Sequence, residues 1–274
     1  NEIGNYLQKI KEYEQAQISG VQTLDSKLWT KTVAHVIGGS DSSENDLFKF
    51  YMNQYRNVIE DTLYGGHVET FEKSSNSAVQ LISGQRIEQL FNSGIGLFSY
   101  FGHSSANTLA FDLSDPSVYQ NQGRYPFFCV SGCTAGNNYI YDPTRIAQNN
   151  LSISENYVLA KERGSIGFLA STHLGVPPYL FNYDLELYNQ IGVVNYGNTI
   201  GNDIKNVITN LGGANNSIDY LTRCNLEELA LHGDPAIRIN PSSKPDYIIE
   251  DPQVIANPPF ISVAENSFNL SATA

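Results

Sequence analysis

Two short apolar runs constrain this chain more than anything else in it. The first is Gly94-Ile95-Gly96-Leu97-Phe98-Ser99-Tyr100-Phe101-Gly102-His103-Ser104-Ser105, and the second is Tyr125-Pro126-Phe127-Phe128-Cys129-Val130-Ser131-Gly132-Cys133. Each has strand length and is almost uninterrupted in apolar and aromatic residues. Each closes on a glycine followed by one chemically capable side chain, His103 or Cys133. Near-continuous apolar runs mark strands buried on both faces of a parallel sheet. Chemistry in open α/β sheets gathers beyond the carboxyl ends of such strands. A glycine there lets the backbone turn sharply and bring the next side chain to the rim.

The rest of the chain supplies the partners such strands need. Ile3, Tyr6, Leu7, Ile10 and Tyr13 at helical spacing predict a helix over 3–15, followed by a connector over 18–29. Strands are expected to start near residues 32, 67, 95, 127, 165 and 236. Helices are expected over 46–63, with Leu47, Phe50, Tyr51, Tyr55 and Ile59 on one side, and over 82–91, 154–163, 180–191, 199–211 and 218–229. Strands alternating with helices predict an α/β fold, a mostly parallel sheet flanked by helices.

Residues 1–240 read as one domain, with an N-terminal helix and connector over 1–30 and the α/β core over 31–240. Past Pro241, Ser242-Ser243-Lys244-Pro245 is a linker signature. Tyr247-Ile248-Ile249 and Phe260-Ile261-Ser262-Val263 then read as strands with no helix between them, so 241–274 is expected to be the start of an all-β segment.

Charge and spacing exclude several functions. The net charge of -12 argues against nucleic acid as the partner, because phosphate binding needs a basic face. No apolar run is long enough for a transmembrane segment. Asn1 reads as the start of an excised or processed segment. Three cysteines without metal spacing argue against a disulfide framework, and no His-x-x-x-His or Cys-x-x-Cys pair suggests zinc.

A thiol and an imidazole are the minimum for thiolate catalysis: the thiolate attacks a carbonyl and the imidazole handles the protons. Cys129 lies inside its run between Phe128 and Val130 and reads as core; Cys224 lies in a helical pattern and reads as packing. Cys133 lies past the strand, which leaves a reactive and a structural reading both open. Of the five histidines, His35 is mid-strand, His67 begins a strand, His173 follows a strand end and His232 precedes a turn. Only His103 combines a strand end with small neighbours. Asp234, in Gly233-Asp234-Pro235, suits a turn that accepts backbone N–H groups; a calcium ligand is the alternative.

These residues carry a resemblance. Tyr100-Phe101-Gly102-His103-Ser104-Ser105, followed by the strand ending in Cys133, resembles the gingipain family of clan CD cysteine peptidases. There a Tyr-x-Gly-His-Gly-Ser motif precedes the catalytic Cys at the end of the next strand. Lys9-Ile10 with Tyr13-Glu14, Gly38-Gly39, the strand Ile166-Gly167-Phe168-Leu169-Ala170-Ser171-Thr172 and the segment from Leu231 to Ile239 through Gly233-Asp234-Pro235 match in order.

The resemblance implies a caspase-like fold, secretion to the medium or outer surface of a bacterium, a structural calcium, no cofactor for the chemistry and a following immunoglobulin-like segment. It implies a cysteine endopeptidase with Cys133 as nucleophile, His103 as base and acid, and the backbone N–H groups of Ser104 and Cys133 as oxyanion hole. Protein or peptide is the implied substrate, with secretion machinery as a further partner through regions outside the chain. A non-catalytic surface module and a transpeptidase are the alternatives. Pocket walls are expected from Gly102, Ser171, Thr172 and His173, with Asp46 at the floor for a basic residue or simply opening its helix; Val176-Pro177-Pro178 would instead give an apolar lid. Two positions depart from the family. Ser104 stands where Gly is usual, and Ile37 stands where the well-known gingipains carry an acid that orients the His. That role is left to Asp41, Glu44 or a backbone carbonyl, and altered activity is expected.

Overall fold

The two apolar runs lie side by side at the centre of a six-stranded sheet. The computed structural model describes residues 2–18, 23–61, 63–72, 80–81, 84–139, 151–213, 218–242, 249, 251–259 and 267–273. In chain order the elements are α1 (Glu2–Ile18), α2 (Leu24–Lys31), β1 (Thr32–Gly38), α3 (Ser42–Ile59), β2 (His67–Glu72), β3 (Gln80–Leu81), α4 (Gly84–Ser93), β4 (Leu97–Gly102), β5 (Phe111–Asp112) and β6 (Phe127–Ser131). After them come α5 (Ile153–Leu159), β7 (Gly167–Ser171), α6 (Pro177–Asn189), α7 (Ile200–Gly212), α8 (Tyr220–Glu228), β8 (Leu229–Gly233), β9 (Val254–Asn257) and β10 (Asn269–Ala272). The main sheet runs β2-β1-β4-β6-β7-β8; β8 is antiparallel to β7 and every other pair is parallel. This is the mostly parallel, helix-flanked sheet of the caspase-like fold.

Strand alternation sorts the buried residues onto two faces. Val33, Ile37, Leu97, Phe101 and Leu169 pack with α3, α6 and α7, whereas Ala34, Val36, Phe98, Phe128, Val130 and Phe168 pack with α4 and α5. On the second face Phe98, Phe128 and Phe168 are register partners on consecutive strands. Their rings stack with centroids 4.3 and 5.2 Å apart. Such pairs add about 0.5–1.5 kcal/mol each beyond burial, and they pin a register that a one-residue slip would turn inside out.

The structure corrects four local expectations. The connector over 18–29 holds a helix, α2, whose Thr23–Ser26 capping box starts a turn too short to show apolar periodicity. Helix α3 begins at Ser42, not 46, capped by the Asp41 side chain, and buries Phe48, Tyr51, Met52, Tyr55 and Ile59; Leu47 and Phe50 face solvent. The last strand of the main sheet precedes Gly-Asp-Pro instead of following it at 236. There Asp234 accepts the Ala236 N–H, while the Pro235 and Ile237 carbonyls accept the N–H groups of Gly201 and Ile200 that open α7. Residues 236–239 are thus committed to a helix start, and Ile237 and Ile239 are buried as core. The linker at 243–245, Tyr247, Ile248 and 260–263 lie outside the described residues, and the described strands past Pro241 are β9 and β10.

Two compact units result, 1–241 and 242–274. The first contains the main sheet and its helices. In the second, β9 and β10 pair antiparallel. No helix among the described residues is long and apolar enough to cross a membrane.

Candidate active site

Three neighbouring strand ends meet with almost no side-chain volume between them. A Cβ on Gly102 would stand 2.5 Å from the Gly38 carbonyl oxygen. One on Gly132 would stand 2.2 Å from Ser104 Oγ and 2.7 Å from the Gly102 carbonyl oxygen. Glycine is what allows β1, β4 and β6 to deliver their following residues to one place.

Phe101 and Ser131 are register partners in β4 and β6, so His103 and Cys133 each follow a matched pair by two residues on adjacent strands. His103 is held at both backbone ends. Its N–H donates to Gly38 O at 3.0 Å, and its carbonyl accepts the Ala110 N–H at 2.8 Å and the Tyr100 hydroxyl at 2.5 Å. The loop carrying Cys133 is tied to the His103 loop by the Ser104 hydroxyl, which donates to the Cys133 carbonyl at 2.8 Å. The side chain at the position where the family has Gly is therefore turned to bridge the two loops. The Cys133 thiol is half-buried, with Sγ 3.9 Å from the Gly175 carbonyl oxygen.

A carboxylate orients the imidazole. His103 Nε2 lies 2.9 Å from Glu44 Oε2, an oxygen that also accepts the Ser40 N–H at 2.8 Å and the Ser40 hydroxyl at 2.5 Å. These bonds, Ser40's first and His103's after them, lower the Glu44 carboxyl pKa to about 2. An ionised carboxylate only accepts, so Nε2 of the neutral ring carries the proton and Nδ1 keeps the lone pair. The sequence left this role open among Asp41, Glu44 and a carbonyl. A signal was present: Asp41 with Glu44 three residues on has capping-box spacing, which would have started the helix at Ser42 and put Glu44 in its first turn beside the Gly38-Gly39 loop.

The other expected site residues divide. The backbone N–H groups of Ser104 and Cys133 donate to no acceptor among the described residues. Ser171, Thr172 and His173 are brought up against the Cys133 loop, where the Thr134 N–H donates to His173 O at 2.7 Å and the Gly136 N–H to Ser171 O at 2.9 Å. The Glu228 backbone oxygen receives both the Thr172 N–H and hydroxyl, each at 3.0 Å. Gly102 sits in the floor between strand ends. Asp46 is exposed. Standing two residues from Glu44, it points about 200° away around α3, on the side opposite the imidazole contact, so the structure does not bring it to the site. Leu174 and Val176 are exposed beside the Gly175 carbonyl that faces Sγ. Cys129 is buried, and desolvation followed by the Asp184 charge raises its thiol pKa far above the usual range. Among the described residues no group of three or more His, Cys, Asp or Glu side chains could hold a metal ion.

The sequence model of a family described as Peptidase family C25 matches residues 1–240. Among solved structures, the complex of Porphyromonas gingivalis RgpB pro- and mature domains is 18% identical, with 84% of this chain and 53% of that chain covered at a TM-score of 0.62. The Arg-specific cysteine proteinase gingipain R (RGPB) is 18% identical, with 84% and 52% covered at a TM-score of 0.61. A structure titled only as a protease is 17% identical, with 93% and 58% covered, also at 0.61. The chain thus spans about half the length of the structures it resembles. No curated protein matches it.

Proposed function

Because the chain belongs to peptidase family C25, the gingipain family, we propose that it cleaves peptide bonds with Cys133 as nucleophile and His103 as general base and acid. The observation that carries this reading is the convergence of two adjacent strand ends on a half-buried thiol and an imidazole held by Glu44. With Nε2–H engaged by Glu44, Nδ1 takes the thiol proton as sulfur attacks the scissile carbonyl carbon. The carbonyl oxygen becomes an oxyanion, which the N–H groups of Ser104 and Cys133 are free to receive. Collapse breaks the C–N bond, and the leaving amine takes the proton back from His103. Water, deprotonated by the same imidazole, then hydrolyses the thioester. Glu44 stabilises the imidazolium formed midway and keeps the ring in the needed tautomer.

The substrate side is read from the rim. Exposed Leu174 and Val176 beside the thiol support an apolar lid and an uncharged residue before the cut. Secretion to a bacterial surface belongs to the same proposal.

The reading is tested with a peptide library and an iodoacetamide probe. Cys133→Ala and His103→Ala should each abolish cleavage, and His103→Ala should slow alkylation of Cys133 to that of a free thiol. Alkylation no faster than a free thiol in the unmodified protein would identify a non-catalytic module. Products joined to an added amine would identify a transpeptidase.

A further inference from the structure

The face of the sheet beneath Cys133 carries a polar layer that the cleavage steps leave unused. His35, Ser99 and Cys129 are register partners on β1, β4 and β6, and Ser131 follows on the same face of β6. Opposite them stands α6. Its Tyr188 hydroxyl lies 2.8 Å from His35 Nε2 and 2.6 Å from Ser99 Oγ. One turn earlier, Asp184 receives the Ser131 hydroxyl on Oδ2 and the Cys129 thiol at 3.4 Å on Oδ1. Asp184 is 3% exposed. The groups facing it are Cys129 and Ser131 from β6, Tyr55 from α3, and Tyr183 and Tyr188 from its own helix. None of these is basic. A buried carboxylate without a cation is costly to keep charged.

The same helix reaches the nucleophile at its other end. The Gly175 carbonyl that faces Cys133 Sγ lies just ahead of α6, where a Cβ on Gly175 would stand 2.5 Å from Leu180 Cδ1 of α6 and in ordinary contact, 3.4 Å, with the Gly132 carbonyl oxygen.

We propose that Asp184 is a positioning residue for the nucleophile: through Ser131 it seats the end of β6, and its buried charge governs how readily the Cys133 thiol ionises. The inference rests on the reading of Cys133 as nucleophile. Ser131 and Cys133 are separated by Gly132 in the bend past β6, so their Cα atoms are at most about 7 Å apart. The carboxylate is then within about 15 Å of the sulfur, and at about 9–15 Å with an effective dielectric of about 20 one charge changes a neighbour's ionisation ratio roughly five- to twentyfold. Burial raises the Asp184 carboxyl to about 7. Its charge therefore appears as pH rises through neutrality, and it opposes the thiolate only above that point. The protonated form leaves Cys133 free to ionise.

The test is the iodoacetamide alkylation rate of Cys133 against pH, read by peptide mass mapping, in the unmodified chain and in Asp184→Asn. Asparagine keeps the shape and an acceptor without the charge. The two rates should agree at pH 5, and the variant should be roughly five- to twentyfold faster at pH 8, with the ratio changing near pH 7. A ratio that is the same at every pH overturns the proposal. Buried Cys129 reports folding, since it stays unlabelled in a folded chain. If Asp184→Asn labels Cys129, the pH–rate profile of Cys133 in a His103→Ala background takes over. It should flatten near pH 7 before rising again, and a uniform tenfold rise per pH unit overturns the proposal. Alkylation does not need peptide cleavage, so an inactive Cys133→Ala or a cleaving one judges the catalytic reading separately.

Discussion

Glu44 shows how much a single side chain decides here. Its carboxylate is only partly covered, yet three donors converge on one oxygen. Two come from Ser40, so the acid is held in place whether or not His103 is engaged. Glu44→Gln keeps the shape and removes the charge that stabilises the imidazolium. kcat/KM should fall about 10–100-fold, less than for a fully buried orienting acid because solvent screens this one. The carboxyl pKa of about 2 lies below the ordinary carboxylate value, so Glu44 remains charged as pH falls until the range near its lowered pKa. The side-chain carboxylate of Glu44, followed by 13C NMR, should then show no titration of its own from pH 4 to 8. A titration step in that window would show that Glu44 is not held ionised and that its tie to Ser40 is not maintained.

At the scale of elements, the strand ends are built by subtraction. Gly132 is where a methyl group would collide with both the Ser104 hydroxyl and the Gly102 backbone. Gly132→Ala should push the β6 end away from β4, cost about 1–3 kcal/mol as overpacking and lower cleavage at least about tenfold. Adding Ser104→Gly should recover only part of this, since the Gly102 carbonyl oxygen remains at 2.7 Å; complete recovery would mean that the hydroxyl contact was the whole obstacle. Helix α3 supplies a second case. Its inner face runs Phe48, Tyr51, Met52, Tyr55 and Ile59, which turns Glu44 toward His103 and leaves Asp46 in solvent. Asp46→Ala should accordingly leave the preference for arginine, lysine or small apolar residues before the cut unchanged. A selective loss of cleavage after basic residues would return Asp46 to the pocket.

At the scale of the molecule, the first unit has its own two-faced core and a clamp on its N-terminal helix. Lys9 of α1 is 1% exposed, donates to the carbonyls of Tyr157, Val158 and Ser165 at 3.3, 3.0 and 2.8 Å, and lies 4.9 Å over the Tyr125 ring. The first two acceptors are carbonyls in the last turn of α5, where a cation is favoured, and that of Tyr157 also takes the Ser165 N–H. Residues 1–241 alone should fold, with a melting temperature within about 4 °C of the full chain, the shift that a loss of about 1 kcal/mol produces at this size. Calorimetry on the two chains checks this, and a fall of 10 °C or more would show that residues 242–274 support the first unit.

The sequence by itself determined the elements whose signal is local. Continuous apolar runs made β4, β6 and β7 legible, because a strand buried on both faces has no polar side to show. The glycines at 38, 102 and 132 marked the strand ends, because a side chain has no room there. The resemblance to the gingipain family was readable because its motifs are short and follow one another in order. Only the tertiary structure decided what depends on direction and distance. The turn at Gly233-Asp234-Pro235 was visible, but whether the strand came before or after it depended on α7 claiming the Pro235 and Ile237 carbonyls. The choice of Glu44 over Asp41 or a backbone carbonyl as the orienting group, and the outward placement of Asp46, depended on where α3 begins and how it is rotated, since a helix changes direction by about 100° at each residue. Asp184 stands in a largely apolar and aromatic helix, on the same stripe as Leu180, Tyr183, Leu187 and Tyr188. It gains meaning only because packing α6 against β6 removes it from water beneath the nucleophile's strand.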